Sequence, residues 1–118
     1  MNRYVVEGIA ADLAEGKRVV ILGNSRAEAR RAFLELIELD APWQHVRRVC
    51  GDEEARLGAG RCKVVAAGHR SIRGLSADVA ILIGNLEGFS KEAREEIICH
   101  LVIAGNTSPG GIELISTD

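Results

Sequence analysis

The sequence predicts an α/β fold, a three-layer, mainly parallel β-sheet with flanking helices and a β-hairpin. Three observations predict it. Two short β-branched runs, Val19 to Leu22 and Val79 to Ile83, read as strands buried on both faces, as in a parallel sheet. Apolar residues recur at helical spacing before and after the first run. The composition, 47% hydrophobic but only 3% aromatic, supplies a core of Val, Ile, Leu and Ala, which suits a sheet covered by helices. A length of 118 residues is enough for one packed core. No repeat, low-complexity tract or linker-like stretch divides it, so residues 1–118 are expected to form a single domain.

Taken in order, Tyr4 to Glu15 places Val5, Val6, Ile9, Ala10 and Leu13 at helical spacing, and Gly16 stands where a left-handed residue closes a helix. Lys17 and Arg18 lead into the first strand, which Gly23 ends. Asn24 and Ser25 supply a cap for a second helix carrying Ala29, Ala32, Phe33, Leu36 and Leu39, before Pro42. Two β-prone runs, Val46 to Cys50 and Cys62 to Ala66, flank a polar segment from Gly51 to Gly60 and are expected to pair as a hairpin. Ser71 to Asp78 reads as a loop, and Val79 to Ile83 as a central strand ended by Gly84-Asn85. Ser90 opens a third helix whose Ala93, Ile97, Ile98, Leu101 and Val102 face inward. The turn from Asn106 to Gly111 releases a last strand, Ile112 to Ile115. Helices alternating with apolar strands imply right-handed crossovers.

Charge narrows the function. Fifteen Lys and Arg against 17 Asp and Glu give a net charge of -2, which argues against a protein that grips nucleic acid over its whole surface. Local basic groups remain: Arg26, Arg30 and Arg31 on one side of the second helix, Arg47 with Arg48, and His69, Arg70 and Arg73 in a loop. The Gly23 to Arg26 turn, with Asn24 and Ser25, is the best candidate for holding an anion at a helix N-terminus, and Arg70 and Arg73 are spaced to clamp a phosphate. The bland reading of both is a solvated surface. Three cysteines without a CxxC spacing indicate neither a disulfide framework nor a zinc site, so no metal and no cofactor are expected. The histidines show no triad-like company. No apolar run has signal-peptide or membrane-span length, and a cytoplasmic location without membrane contact is expected.

Arg18 to Leu36, reading strand, Gly-Asn-Ser, then an Arg- and Ala-rich helix, resembles the second-strand region of phage terminase large subunits and superfamily helicases. His69 to Ile83 resembles the Arg-Gly loop and strand that lead into Walker B of those ATPases, and Ile115-Ser116-Thr117-Asp118 resembles their motif III. The resemblance spans nearly the whole chain and implies a degenerate, truncated P-loop NTPase-like core, of phage type and working in the host cytoplasm.

Two departures bear on activity. No Gly-rich loop ending in Lys-Ser or Lys-Thr is present, so the family's first strand and its phosphate cradle are expected to be missing. The Walker B acids are replaced by Gly84 and Asn85, with Glu87 displaced by two residues. The chain is therefore expected not to be an enzyme.

In the family, the missing strand lies beside the one that corresponds to Ile112 to Ile115. Its loss would leave Ile112, Leu114 and Ile115 on an edge strand open to a partner, the simplest being a second copy of the chain. The expected function is a non-catalytic, ATPase-derived protein acting through protein binding or self-association as a homodimer. The alternative is a nucleic-acid-binding accessory protein using the Arg70 to Arg73 loop and the second helix. A third reading, an enzyme with a small-molecule pocket, would place that pocket at the strand ends near Gly23, Gly84 and Thr117.

Overall fold

The computed structural model describes residues 2–23, 25–49, 53–66, 77–83, 91, 95 and 113–117. The chain begins with helix α1 (Arg3–Ala14), whose N-terminus is capped by Asn2: its Oδ1 accepts from the Tyr4 N–H at 2.7 Å. Gly16, at φ 89°, turns the chain out of this helix. Strand β1 (Arg18–Gly23) and helix α2 (Arg26–Ile37) follow, then β2 (His45–Arg47), β3 (Glu54–Leu57), β4 (Gly60–Ala66), β5 (Val79–Ile83) and β6 (Glu113–Thr117).

The six strands form one sheet in the order β2-β3-β4-β1-β5-β6. β1 runs parallel to β4 on one side and to β5 on the other, and β5 runs parallel to β6. β2, β3 and β4 form an antiparallel meander. The sheet is thus mixed, and β1 and β5 are both interior strands.

The hairpin expected between residues 46–50 and 62–66 is corrected to this three-stranded meander. The segment read as a polar connection contains β3, and the tight turn lies at Gly58, which takes the left-handed conformation at φ 60°. Glu54, Ala55, Arg56 and Leu57 alternate between the two faces of the sheet, and charge at every second position disguised the strand as a loop. The leading run is also shorter than expected, with β2 ending at Arg47.

Both described helices pack on one face of the sheet. Val6, Ile9 and Leu13 of α1 and Ala29, Phe33 and Leu36 of α2 meet Val19 and Ile21, Val79 and Ile81, Cys62, and Ala55 and Leu57 in one core. Two glycines permit the close approach. A Cβ on Gly60 would lie 2.3 Å from the Leu13 carbonyl oxygen, and one on Gly23 would lie 2.7 Å from the Ala29 nitrogen. The opposite face of β1 and β5 is buried too: Val20, Leu22, Ala80 and Leu82 are all at most 3% exposed. The third helix expected over residues 90–102 lies outside the described residues apart from Lys91 and Glu95, both helical and exposed. The expected loop from 71 to 78 lies outside them up to residue 76.

Candidate functional site

At the carboxyl end of β1 the chain passes through Gly23 into the N-terminus of α2. Ser25 is the cap residue: its Oγ accepts from the Glu28 N–H at 3.2 Å, and its carbonyl accepts from Ala29. Glu28 itself places a carboxylate in the first turn, where it complements the positive end of the helix dipole. The helix end expected to hold an anion is therefore capped from within and already provided with negative charge.

Arg26 is exposed at the first helical position. Arg30, half-buried one turn later, points across to the meander, where its Nη1 donates to the Arg48 carbonyl at 2.9 Å and lies 3.6 Å from Glu53 Oε2. Of the six residues expected to bind an anion or nucleic acid, Asn24, Arg70 and Arg73 lie outside the described residues. The other three are a cap, an exposed arginine and a strut between α2 and the meander.

Two buried carboxylates escaped the sequence reading. Glu53 is 2% exposed, and its Oε1 has no hydrogen-bond partner among the described residues. Glu54, on the other face, accepts from Arg56 Nε at 3.0 Å and lies 4.0 Å from Arg61 Nε. Burial pushes the Glu54 carboxyl upward. The Arg56 hydrogen bond and the charges of Arg56, Lys63 and Arg61 outweigh that and hold it below the ordinary carboxylate range.

At the amino ends of β1 and β5 a third carboxylate forms a latch. Asp78 accepts from the Arg18 backbone N–H at 2.9 Å and from the Arg18 guanidinium at 3.1 and 3.2 Å, while its own N–H donates to the Arg18 carbonyl at 2.8 Å.

The β6 border has a different character. β6 pairs with β5 in register, Leu114 beside Ala80 and Ile115 beside Ile81, and is the last strand of the order among the described residues. Ile112, expected in this strand, lies outside the described residues. Over Ile81 of the neighbouring β5 an open groove of about 220 Å³ runs along α1, lined by Tyr4, Val5, Gly8, Ile9 and Asp12. Its surface is mostly apolar, Tyr4 is 75% exposed, and nothing lies within 4 Å of where a Gly8 Cβ would stand.

The described residues offer little that resembles a catalytic centre. No three of their His, Cys, Asp or Glu side chains gather to hold a metal. Cys62 is fully enclosed, and burial pushes its thiol up to about 12, which leaves it inert as a nucleophile. No helix among the described residues is long and apolar enough to cross a membrane. Comparison with known protein families and with curated proteins gives no match.

Proposed function

We propose that this chain is a non-catalytic protein, derived from a P-loop ATPase core of the terminase or helicase kind, that acts by binding a second copy of itself along the β6 border. The observation that carries the reading is the border itself. Among the described residues β6 is the last strand of the order, with β5 as its partner, and an apolar groove opens over Ile81 of β5. An interior-type parallel strand left at a border presents a row of unpaired backbone donors and acceptors, and a two-fold copy supplies their complement. The order β1-β5-β6 agrees with that ancestry, because it puts β6 where the resemblance puts the neighbour of the family's first strand.

A three-layer arrangement belongs to the same proposal. Travel from β1 to β4 carries α2 over one face, whereas travel from β5 to β6 goes the other way across the sheet. A right-handed fold would then call for cover on the face opposite α2. The burial of Val20, Leu22, Ala80 and Leu82 on that face supports this reading. On this reading the given residues hold no Gly-rich loop ending in Lys-Ser or Lys-Thr and carry Gly84 and Asn85 in place of the Walker B acids, so the protein acts by binding protein rather than by turning over nucleotide, in the cytoplasm.

The test is the solution mass by light scattering across a dilution series, for the wild type, Gly8→Leu and Leu114→Lys. Gly8→Leu fills the groove while removing a helix-interior glycine, a change worth roughly 0.5–1 kcal/mol in favour of the helix, so loss of dimer cannot be blamed on unfolding. A dimer that both variants dissociate is the expected result. A monomer at every concentration overturns the self-association. ATP hydrolysis by the purified protein, abolished by Glu87→Gln, overturns the non-catalytic reading.

A further inference from the structure

The meander carries its core on one face and a block of positive charge on the other. In the register of β2, β3 and β4, His45 stands opposite Arg56 and Arg56 opposite Arg61, while Arg47 stands opposite Glu54 and Glu54 opposite Lys63. Residues directly opposed in antiparallel strands share a face, so these six side chains form two rows on one side of the sheet. The intervening Val46, Ala55 and Cys62 turn the other way, into the core. With strands about 4.8 Å apart and alternate residues about 6.8 Å apart along a strand, the rows lie within reach of one another.

Among the described residues of these rows, three arginines and a lysine surround a single acid, and that acid is withdrawn from solvent. Glu54 is 4% exposed and bound to Arg56, whereas His45, Arg47 and Arg56 are exposed and Arg61 and Lys63 are half-buried. In a chain of net charge -2, this is a local concentration of cations. The patch is bounded on the β1 side, where the neighbour of Arg61 is Arg18, tied to Asp78, and the neighbour of Lys63 is the buried Val20.

We propose that this face binds the phosphate backbone of double-stranded DNA without reading its sequence. Charge complementarity is the first ground, since arginine forks match phosphate oxygens. The make-up of the face selects among polyanions. Its two rows contain no Phe, Tyr or Trp on which single-stranded bases could stack, His45 being their one ring, and no apolar anchor of the kind that carries a protein interface. The one carboxylate in the two rows, Glu54, is buried and engaged, so apart from His45 the described side chains of the rows present donors. Donors suit phosphate oxygens, whereas a 2′-hydroxyl is read by donors and acceptors together. This site uses other residues and another part of the sheet than the β6 border, and neither depends on the other.

The experiment is fluorescence anisotropy with a labelled mixed-sequence DNA duplex of roughly 20 base pairs, titrated at several salt concentrations between about 50 and 200 mM. The double variant Arg47→Gln, Lys63→Gln leaves the Arg56–Glu54 pair intact. It is expected to bind at least about tenfold more weakly at the lowest salt, and to lower the slope of log K against log salt by about 2, at ~0.9 per phosphate contact. Arg31→Gln, on the exposed side of α2, should leave both quantities unchanged. If the double variant melts below the wild type, Arg47→Gln alone serves, with a slope change of about 1. Absence of binding at about 50 mM salt overturns the proposal, as does a slope that the variants leave unaltered. So does duplex RNA, single-stranded DNA or polyglutamate that binds as tightly as the duplex.

Discussion

Val20 and Lys63 stand side by side on neighbouring strands and on the same face of the sheet, yet Val20 is 3% exposed while Lys63 reaches solvent. The pair marks a boundary between two halves of one sheet. On the β1 and β5 side both faces are apolar and buried. On the meander side one face packs under the helices and the other carries His45, Arg47, Arg56, Arg61 and Lys63. The difference follows from connectivity. Parallel strands need long crossovers, which cover the sheet, whereas antiparallel strands joined by tight turns leave a face open. A surface for a charged partner exists in this molecule where the strand direction alternates.

The sharpest way to break this comparison is to exchange the two residues. Val20→Lys buries an ammonium without a partner and is expected to remove at least about 4 kcal/mol, enough to abolish a cooperative urea transition. Lys63→Val, its reciprocal, should stay within about 0.5 kcal/mol of wild type. A Val20→Lys protein with an unchanged urea midpoint would mean that the second face of β1 is not covered.

A smaller loss is expected from Asp78→Ala, which frees the Arg18 guanidinium and its backbone N–H at the start of β1. About 1–3 kcal/mol should disappear from the chemical-denaturation free energy. The loss should be seen first as faster amide exchange at the starts of β1 and β5.

On the meander side, Glu54 links stability to pH. Its folded-state pKa lies below the unfolded value, so its contribution is fully present above the ordinary carboxylate pKa of about 4.3 and is lost as pH falls through the folded value. In Glu54→Gln this part of the acid-side decline should vanish, and the stability curve below pH about 4.3 should be flatter than wild type in thermal melts. A curve parallel to the wild type throughout would show that the arginines do not hold the Glu54 carboxyl down. Ser25→Ala, which removes the cap of α2, should cost about 1 kcal/mol in the same assay.

The parallel half was legible in the sequence because local signals agree there. The β-branched run at Val19 to Leu22, the left-handed Gly16 and the Ser25 cap each specify their neighbours, and the observed α1, β1, α2 and β5 follow those boundaries closely. The meander was not legible, because what makes β3 a strand lies across the sheet. Glu54 is tolerable in a buried position only beside Arg56, Arg61 and Lys63, and the register that gathers them leaves no trace in residue spacing. The basic face escaped notice for the same reason: its cations are scattered along the chain from residue 45 to 63 and meet only through pairing. Arg30, read as part of an exposed stripe, instead ties α2 to Arg48 and Glu53, partners far beyond the reach of helical spacing along the chain.

The central claim is that the β6 border is an interface. Backbone amide exchange of residues 113–117, measured at a low and a high protein concentration, tests it most directly. Protection that rises with concentration, and that Gly8→Leu removes, is the predicted result. Equal protection at both concentrations would contradict the claim and leave the charged face of the meander as the molecule's working surface.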